Sequence, residues 1–168
     1  MGNRQCCRCW IVVAIACTLF FQVGAVHAGF ITGTVRLNTP DGQKISGDWI
    51  RVLLTTAALK VPEIPPLDGL APLERYDRVV SAHMAFYVRY QQHLSQTDYL
   101  VASVLTTETG DFKFVDVPPG LYFVVVTFPS MIGGYKVAWQ VPVTVPATGD
   151  PDPVMLNWAN MLLPTQKH

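Results

Sequence analysis

The chain has 168 residues, half of them hydrophobic, with 12 basic residues against 12 acidic ones and a formal net charge of zero. Such a balance offers no electrostatic footprint for nucleic acid, and the length suits a single domain with a real core. The first 28 residues are set apart from that domain. Arg4 and Arg8 form a positive start, an apolar run extends from Trp10 to Val26, and the small-x-small ending at Ala28 reads as a signal-peptide cleavage site. A lipid-modified Cys17 is the weaker alternative, since Ala14 stands where a leucine is usual and much of the apolar run follows the cysteine. The expected location is therefore the periplasm or the extracellular space, with no membrane span after cleavage.

All four cysteines (Cys6, Cys7, Cys9 and Cys17) lie in this leader. The exported chain thus has no disulfide, thiolate metal site or cysteine nucleophile. Cleavage also removes Arg4 and Arg8, leaving ten basic residues against 12 acidic ones.

The remaining pattern predicts a β domain. Phe30–Asn38 alternates, with Ile31, Val35 and Leu37 on one face, and a turn-rich link carries Pro40, Gly42 and Gly47. Trp49–Thr56 reads as a second strand with Ile50, Val52 and Leu54 on one side and Trp49 on the other. Residues 62–97 break the series as a Pro-rich linker followed by an amphipathic helix of about 20 residues. Leu73, Tyr76, Val80, Met84, Tyr87 and Leu94 form its expected apolar stripe, Asp68 or Gly69 its cap, and Pro72 its first turn.

Tyr99–Thr107 is a third strand, and Glu108–Asp111 a tight turn around Gly110. Phe112 and Phe114, two apart, share a face, and Pro118-Pro119-Gly120 then turns the chain sharply into Leu121–Phe128. That run is apolar on both faces, as expected of a central strand covered on both sides by the core and the helix. The series reads as a hairpin through the core. Tyr135–Pro146 alternates between a buried and a wet face, with Pro142 and Pro146 on the wet phase, which argues for a sheet edge. Val154–Trp158 is a last short strand, and residues 161–168 are a tail.

These residues resemble the carboxypeptidase regulatory-like domain, a group allied to prealbumin-like, Cna-type B and starch-binding-like sandwiches. Gly33, Val35, Gly47, Thr107, Gly110, Phe112, Phe114, Pro119, Gly120 and Tyr122 carry the likeness, which the helical insert interrupts. The resemblance implies an all-β, prealbumin-like β-sandwich of about seven strands spanning 29–160, with one helical insertion. It also implies a non-catalytic module. Some Cna-type relatives join their sheets by a Lys–Asn isopeptide bond, but Arg36 stands where the lysine is expected, so none is predicted even though Asn157 could serve as the asparagine.

The chemistry of the chain agrees with a non-enzyme. It has no nucleophile elbow, phosphate loop or dinucleotide fingerprint. His83 and His93 are ten apart on the expected helix, near 80° around it, and lack the i, i+4 spacing of a two-histidine metal site. They read as surface or interface groups. Asp111, Asp116, Asp150 and Asp152 occupy turns, where aspartate serves the backbone. No catalytic residue, metal or cofactor is expected.

Recognition is what remains. Trp49, Tyr87 and Tyr90 are the aromatics available for a ligand, and Arg75, Arg78 and Arg89 lie near one polar face of the helix. The expected partner is another envelope or extracellular protein, bound through the helix and loops; the alternative is a polysaccharide stacked on exposed rings. Exposure of Trp49, Tyr87 and Tyr90 separates the two.

Overall fold

The computed structural model describes residues 28–39 and 42–165. The expected export leader, apart from Ala28, lies outside the described residues. In chain order the elements are β1 (Gly29–Asn38), β2 (Lys44–Ser46), β3 (Arg51–Thr55), α1 (Pro72–His93), β4 (Leu100–Leu105), β5 (Asp111–Val117), β6 (Gly120–Val126), β7 (Met131–Ile132), β8 (Tyr135–Lys136), β9 (Trp139–Val145) and β10 (Val154–Leu156), followed by a 3-10 turn at Trp158–Asn160.

Two four-stranded sheets face each other. In the first, β1 pairs antiparallel with β5 and β2 and parallel with β10. The second runs β4-β3-β6-β9, antiparallel throughout. Alternation aims Ile31 and Val35 of β1, Phe112 and Phe114 of β5, and Val52, Leu54, Val124 and Val126 of the second sheet into one core. The two phenylalanine rings meet edge to face at 5.8 Å. This is the β-sandwich with a helical insertion that the sequence leads one to expect.

β6 is indeed central, and its opposite phase is covered too. Leu53 of β3 and Val125 of β6 point outward, where Phe86 and Tyr90 of α1 pack on them with Leu59, Tyr99 and Leu163. At the sheet's margin, β9 is an edge strand, as Pro142 suggests.

Six expectations change. The second strand begins at Arg51, because Gly47–Trp49 forms a turn in which Trp49 has a φ of 55°. The Pro-Pro-Gly series makes no hairpin: β5 and β6 belong to opposite sheets. Pro118 and Pro119 have no N–H to extend a ladder, so the chain crosses between layers, pinned by the Tyr122 hydroxyl donating to Pro118 O at 3.0 Å. The wet phase of Tyr135–Pro146 is wet only at its far end, since Lys136 and Ala138 are buried beneath the helix and tail.

The helix is also turned relative to its expected stripe. Val79, Ala82, His83, Phe86 and Tyr90 are buried, whereas Leu73 is 71% exposed and Met84, Val88 and Leu94 are also exposed. α1 carries apolar residues on two sides, and the side with Phe86 and Tyr90 fits the sheet. Finally, its cap is Ala71, neither Asp68 nor Gly69. Pro72 takes the first helical position, and the Glu74 carboxylate accepts from the Ala71 N–H at 3.2 Å.

His83, expected at a surface or interface, is thus a core residue with 1% exposure. Its Nε2–H donates to Pro164 O at 2.9 Å, tying the tail Met161–Thr165 to α1, while Nδ1 has no hydrogen-bond partner among the described residues. Burial lowers its pKa from 6.5; the Pro164 bond opposes this and the Lys136 charge adds to it. The unfolded chain therefore takes up a proton below about pH 6.5 that the folded chain refuses, so stability holds above that pH and falls as the pH drops below it. Denaturant titrations between pH 8 and 5 should show this loss, at most about 1.4 kcal/mol per pH unit, and His83→Gln should flatten it. An unchanged slope in the variant would assign the acid sensitivity to another group.

Candidate functional site

The insert and two loops enclose a groove of about 600 Å³ on the outer side of the second sheet. Its first wall is the turn before β3. The Thr106 hydroxyl donates to Gly47 O at 2.6 Å and accepts the Ile50 N–H at 2.8 Å, so one side chain holds both ends of that turn. Between them the backbone projects Trp49, which is 63% exposed. The helix does not cover it.

The second wall is the C-terminal half of α1, with Tyr87, Tyr90, Gln91 and Leu94. Docking of Phe86 fixes its rotation. Tyr87 stands edge to face with Phe128 at 5.8 Å and lies 6.4 Å from Tyr90 at 37°, so these rings line a cleft and do not form a flat platform. Tyr90 is itself buried. Its hydroxyl pKa is pushed up by burial, partly offset by the Arg51 guanidinium, which keeps it a neutral hydrogen-bonding group at ordinary pH.

The third wall is the loop Thr127–Met131, with a cis Phe128–Pro129 peptide. Ser130 N–H donates to Thr127 O, and Val137 N–H to Ser130 O, both at 3.2 Å. Leu53 contributes apolar surface, and Asp48 and Arg51 bring opposite charges to the lining. Among the described residues neither forms an ion pair.

Three of the six expected binding residues, Trp49, Tyr87 and Tyr90, thus converge on one groove. The arginines do not join them. Arg78 donates to Pro66 O at 3.3 Å and Arg89 to Lys60 O, so both fasten the chain that leads into the helix to the helix itself. Arg75 is exposed in the first turns, away from the groove. Two of the three guanidinium groups expected to face a partner thus serve the insert's own packing.

Arg51, Gln91, Thr127 and Phe128 are groove residues that sequence reasoning missed. Arg51 could have been found, since it shares a phase with Trp49 and Leu53, opposite the core positions Ile50, Val52 and Leu54. The Thr127 and Phe128 wall depends on how a loop folds over a helix, and no periodicity records that.

His93 Nδ1 is hydrogen-bonded to Arg89 O at 2.8 Å, far from any shared site with His83. Among the described residues, no group of three or more His, Cys, Asp or Glu side chains could hold a metal ion. Arg36 pairs with Asp111 at 3.2 Å, while Asn157 caps the 3-10 turn.

No known family pattern matches the chain, and no curated protein does. Among solved structures, it is similar to a candidate carbohydrate-binding protein of Pseudomonas aeruginosa, with 19% identity over 79% of this chain and 89% of that one, at a TM-score of 0.41. It is also similar to the pilus backbone RrgB of Streptococcus pneumoniae in two structures, with 10% and 11% identity over 76% of this chain and a TM-score of 0.36 in each. The chain spans only 40% and 30% of those two pilin chains. The sandwich and the groove stand on this chain's own sheets and contacts.

Proposed function

We propose that this protein is an exported, non-catalytic binding module that takes a saccharide chain in the groove between α1, the Trp49 turn and the Thr127–Met131 loop. Trp49 carries this reading. A large indole held 63% exposed, on a backbone with a φ of 55°, opposes both the hydrophobic effect and steric preference. The turn is clamped into that shape by Thr106, so the side chain is presented rather than left over.

A pyranose suits such a wall. Its C–H face stacks on a flat aromatic surface, while its hydroxyls exchange hydrogen bonds with groups such as Asp48, Arg51, Gln91 and Ser130. The groove's volume lies in the range of small-molecule sites. Export rests on the leader read from Arg4, the apolar run and Ala28.

A second reading, recognition of an envelope or extracellular protein by the helix, is favoured by one observation. Leu73, Met84 and Val88 form an exposed apolar stripe on the side of α1 opposite Phe86.

Affinity electrophoresis and calorimetry against neutral and acidic polysaccharides test the preferred reading. Trp49→Ala should weaken binding roughly tenfold or more, about 1.4 kcal/mol, with the melting temperature nearly unchanged. Binding that survives the substitution intact would remove Trp49 from the site.

A further inference from the structure

We infer that Thr127 supplies the hydrogen-bonding floor of the groove and is kept as threonine to meet a ligand hydroxyl; this rests on the saccharide reading. Thr127 directly follows β6 and lines the groove, yet it is only 7% exposed. Its Oγ1 is buried and has no hydrogen-bond partner among the described residues. Its backbone carbonyl is occupied by Ser130 N–H, so the side-chain hydroxyl is the unpaired group.

A buried hydroxyl left unpaired lowers stability, and valine would fill the same space without that penalty. The three residues before it, Val124, Val125 and Val126, are valines. Position 127 thus departs from an apolar run at the point where the run reaches the groove. Among the described residues the buried hydroxyl of Thr34 also lacks a partner, but Thr34 does not line this groove.

A hydroxyl both donates and accepts, as does each hydroxyl of a sugar. An apolar ligand would leave the Thr127 hydroxyl unpaired. On the saccharide reading the occupant is a pyranose ring against Trp49 and Tyr87, with one hydroxyl reaching inward to Thr127 Oγ1.

The test uses the full protein and the variants Thr127→Val, Thr127→Ser and Trp49→Ala. Each is melted alone and titrated calorimetrically with linear hexasaccharides of glucose, galactose, mannose and N-acetylglucosamine. The expected result is that Thr127→Val melts about 2–4 °C higher than the wild type yet binds roughly tenfold more weakly, while Thr127→Ser retains affinity. A lower melting temperature in Thr127→Val would show that the hydroxyl serves the fold and would overturn the inference. So would equal binding by Thr127→Val, and in that case loss of binding in Trp49→Ala would leave the saccharide reading standing. If the wild type binds none of the sugars, the saccharide reading fails and this inference falls with it.

Discussion

Phe86→Ala is expected to destabilise the protein by about 3–5 kcal/mol and to abolish ligand binding in the same step. The ring has no exposure and lies among Leu53, Tyr90, Val125 and Leu163, so its removal leaves a cavity between α1 and the sheet. Most of a helix's stability in a protein comes from packing of its apolar face, and α1 depends on that contact for its position. Tyr87, Tyr90 and Gln91 ride on the same turns, so the groove loses a wall when the helix shifts. Met84→Ala, on the exposed side of the same helix, should cost well under about 1.5 kcal/mol. Urea unfolding followed by circular dichroism compares the two. Equal, small losses would mean that the helix is not held through Phe86.

Gly33→Ala is the second large effect, and it strikes the opposite sheet. A Cβ at this position would lie 2.3 Å from Val154 O and 2.3 Å from Phe112 Cζ. Gly33 is also where β1 pairs with β5 on one side and β10 on the other, through Phe112 and Val154. The backbone oxygen cannot swing aside as a side chain can, so β10 must shift. The expected cost is about 3 kcal/mol, at the upper end for overpacking. Arg36→Ala on the same strand, which removes the exposed pair with Asp111 and a long hydrogen bond to Thr109 O, should cost under about 1 kcal/mol. Thermal unfolding with matched far-ultraviolet spectra would measure both. A Gly33→Ala protein as stable as Arg36→Ala would contradict the close approach of β10 to β1.

The strands were legible because their cause is local. Ile31, Val35 and Leu37 alternate, Phe112 and Phe114 are two apart, and Leu121–Phe128 is apolar on both phases. These patterns state which faces must be covered, and the structure covers them with the core and with α1. Strand partnership is a different matter. Nothing local to Pro118-Pro119-Gly120 says whether the chain folds back within a sheet or crosses to the other, so the expected hairpin became a crossing.

The helix shows the same limit in another form. Its sequence supports two apolar sides, and only the shape and chemistry of the sheet surface choose Phe86 and Tyr90 over Leu73 and Met84. His83 was misjudged for a related reason. A histidine counts as polar in a periodicity, yet its ring buries well when one nitrogen finds a carbonyl such as Pro164 O.

Of the binding residues, the aromatics were visible by type and phase. The groove was not, since it assembles residues 48–51, 87–94 and 127–131 from three separate stretches. Arg78 and Arg89 looked available because their acceptors are backbone carbonyls ahead of the helix, of Pro66 and Lys60, which carry no sequence signature.

The saccharide groove is the central claim, and backbone amide shift mapping tests it most directly. Isotope-labelled protein is titrated with the tightest-binding oligosaccharide found by affinity electrophoresis. Shifts confined to the Trp49 indole, Tyr87–Leu94 and Thr127–Met131, with saturable behaviour, are the predicted result. Saturable shifts centred elsewhere, with the Trp49 indole unmoved, would contradict the account and place recognition on another face of the sandwich.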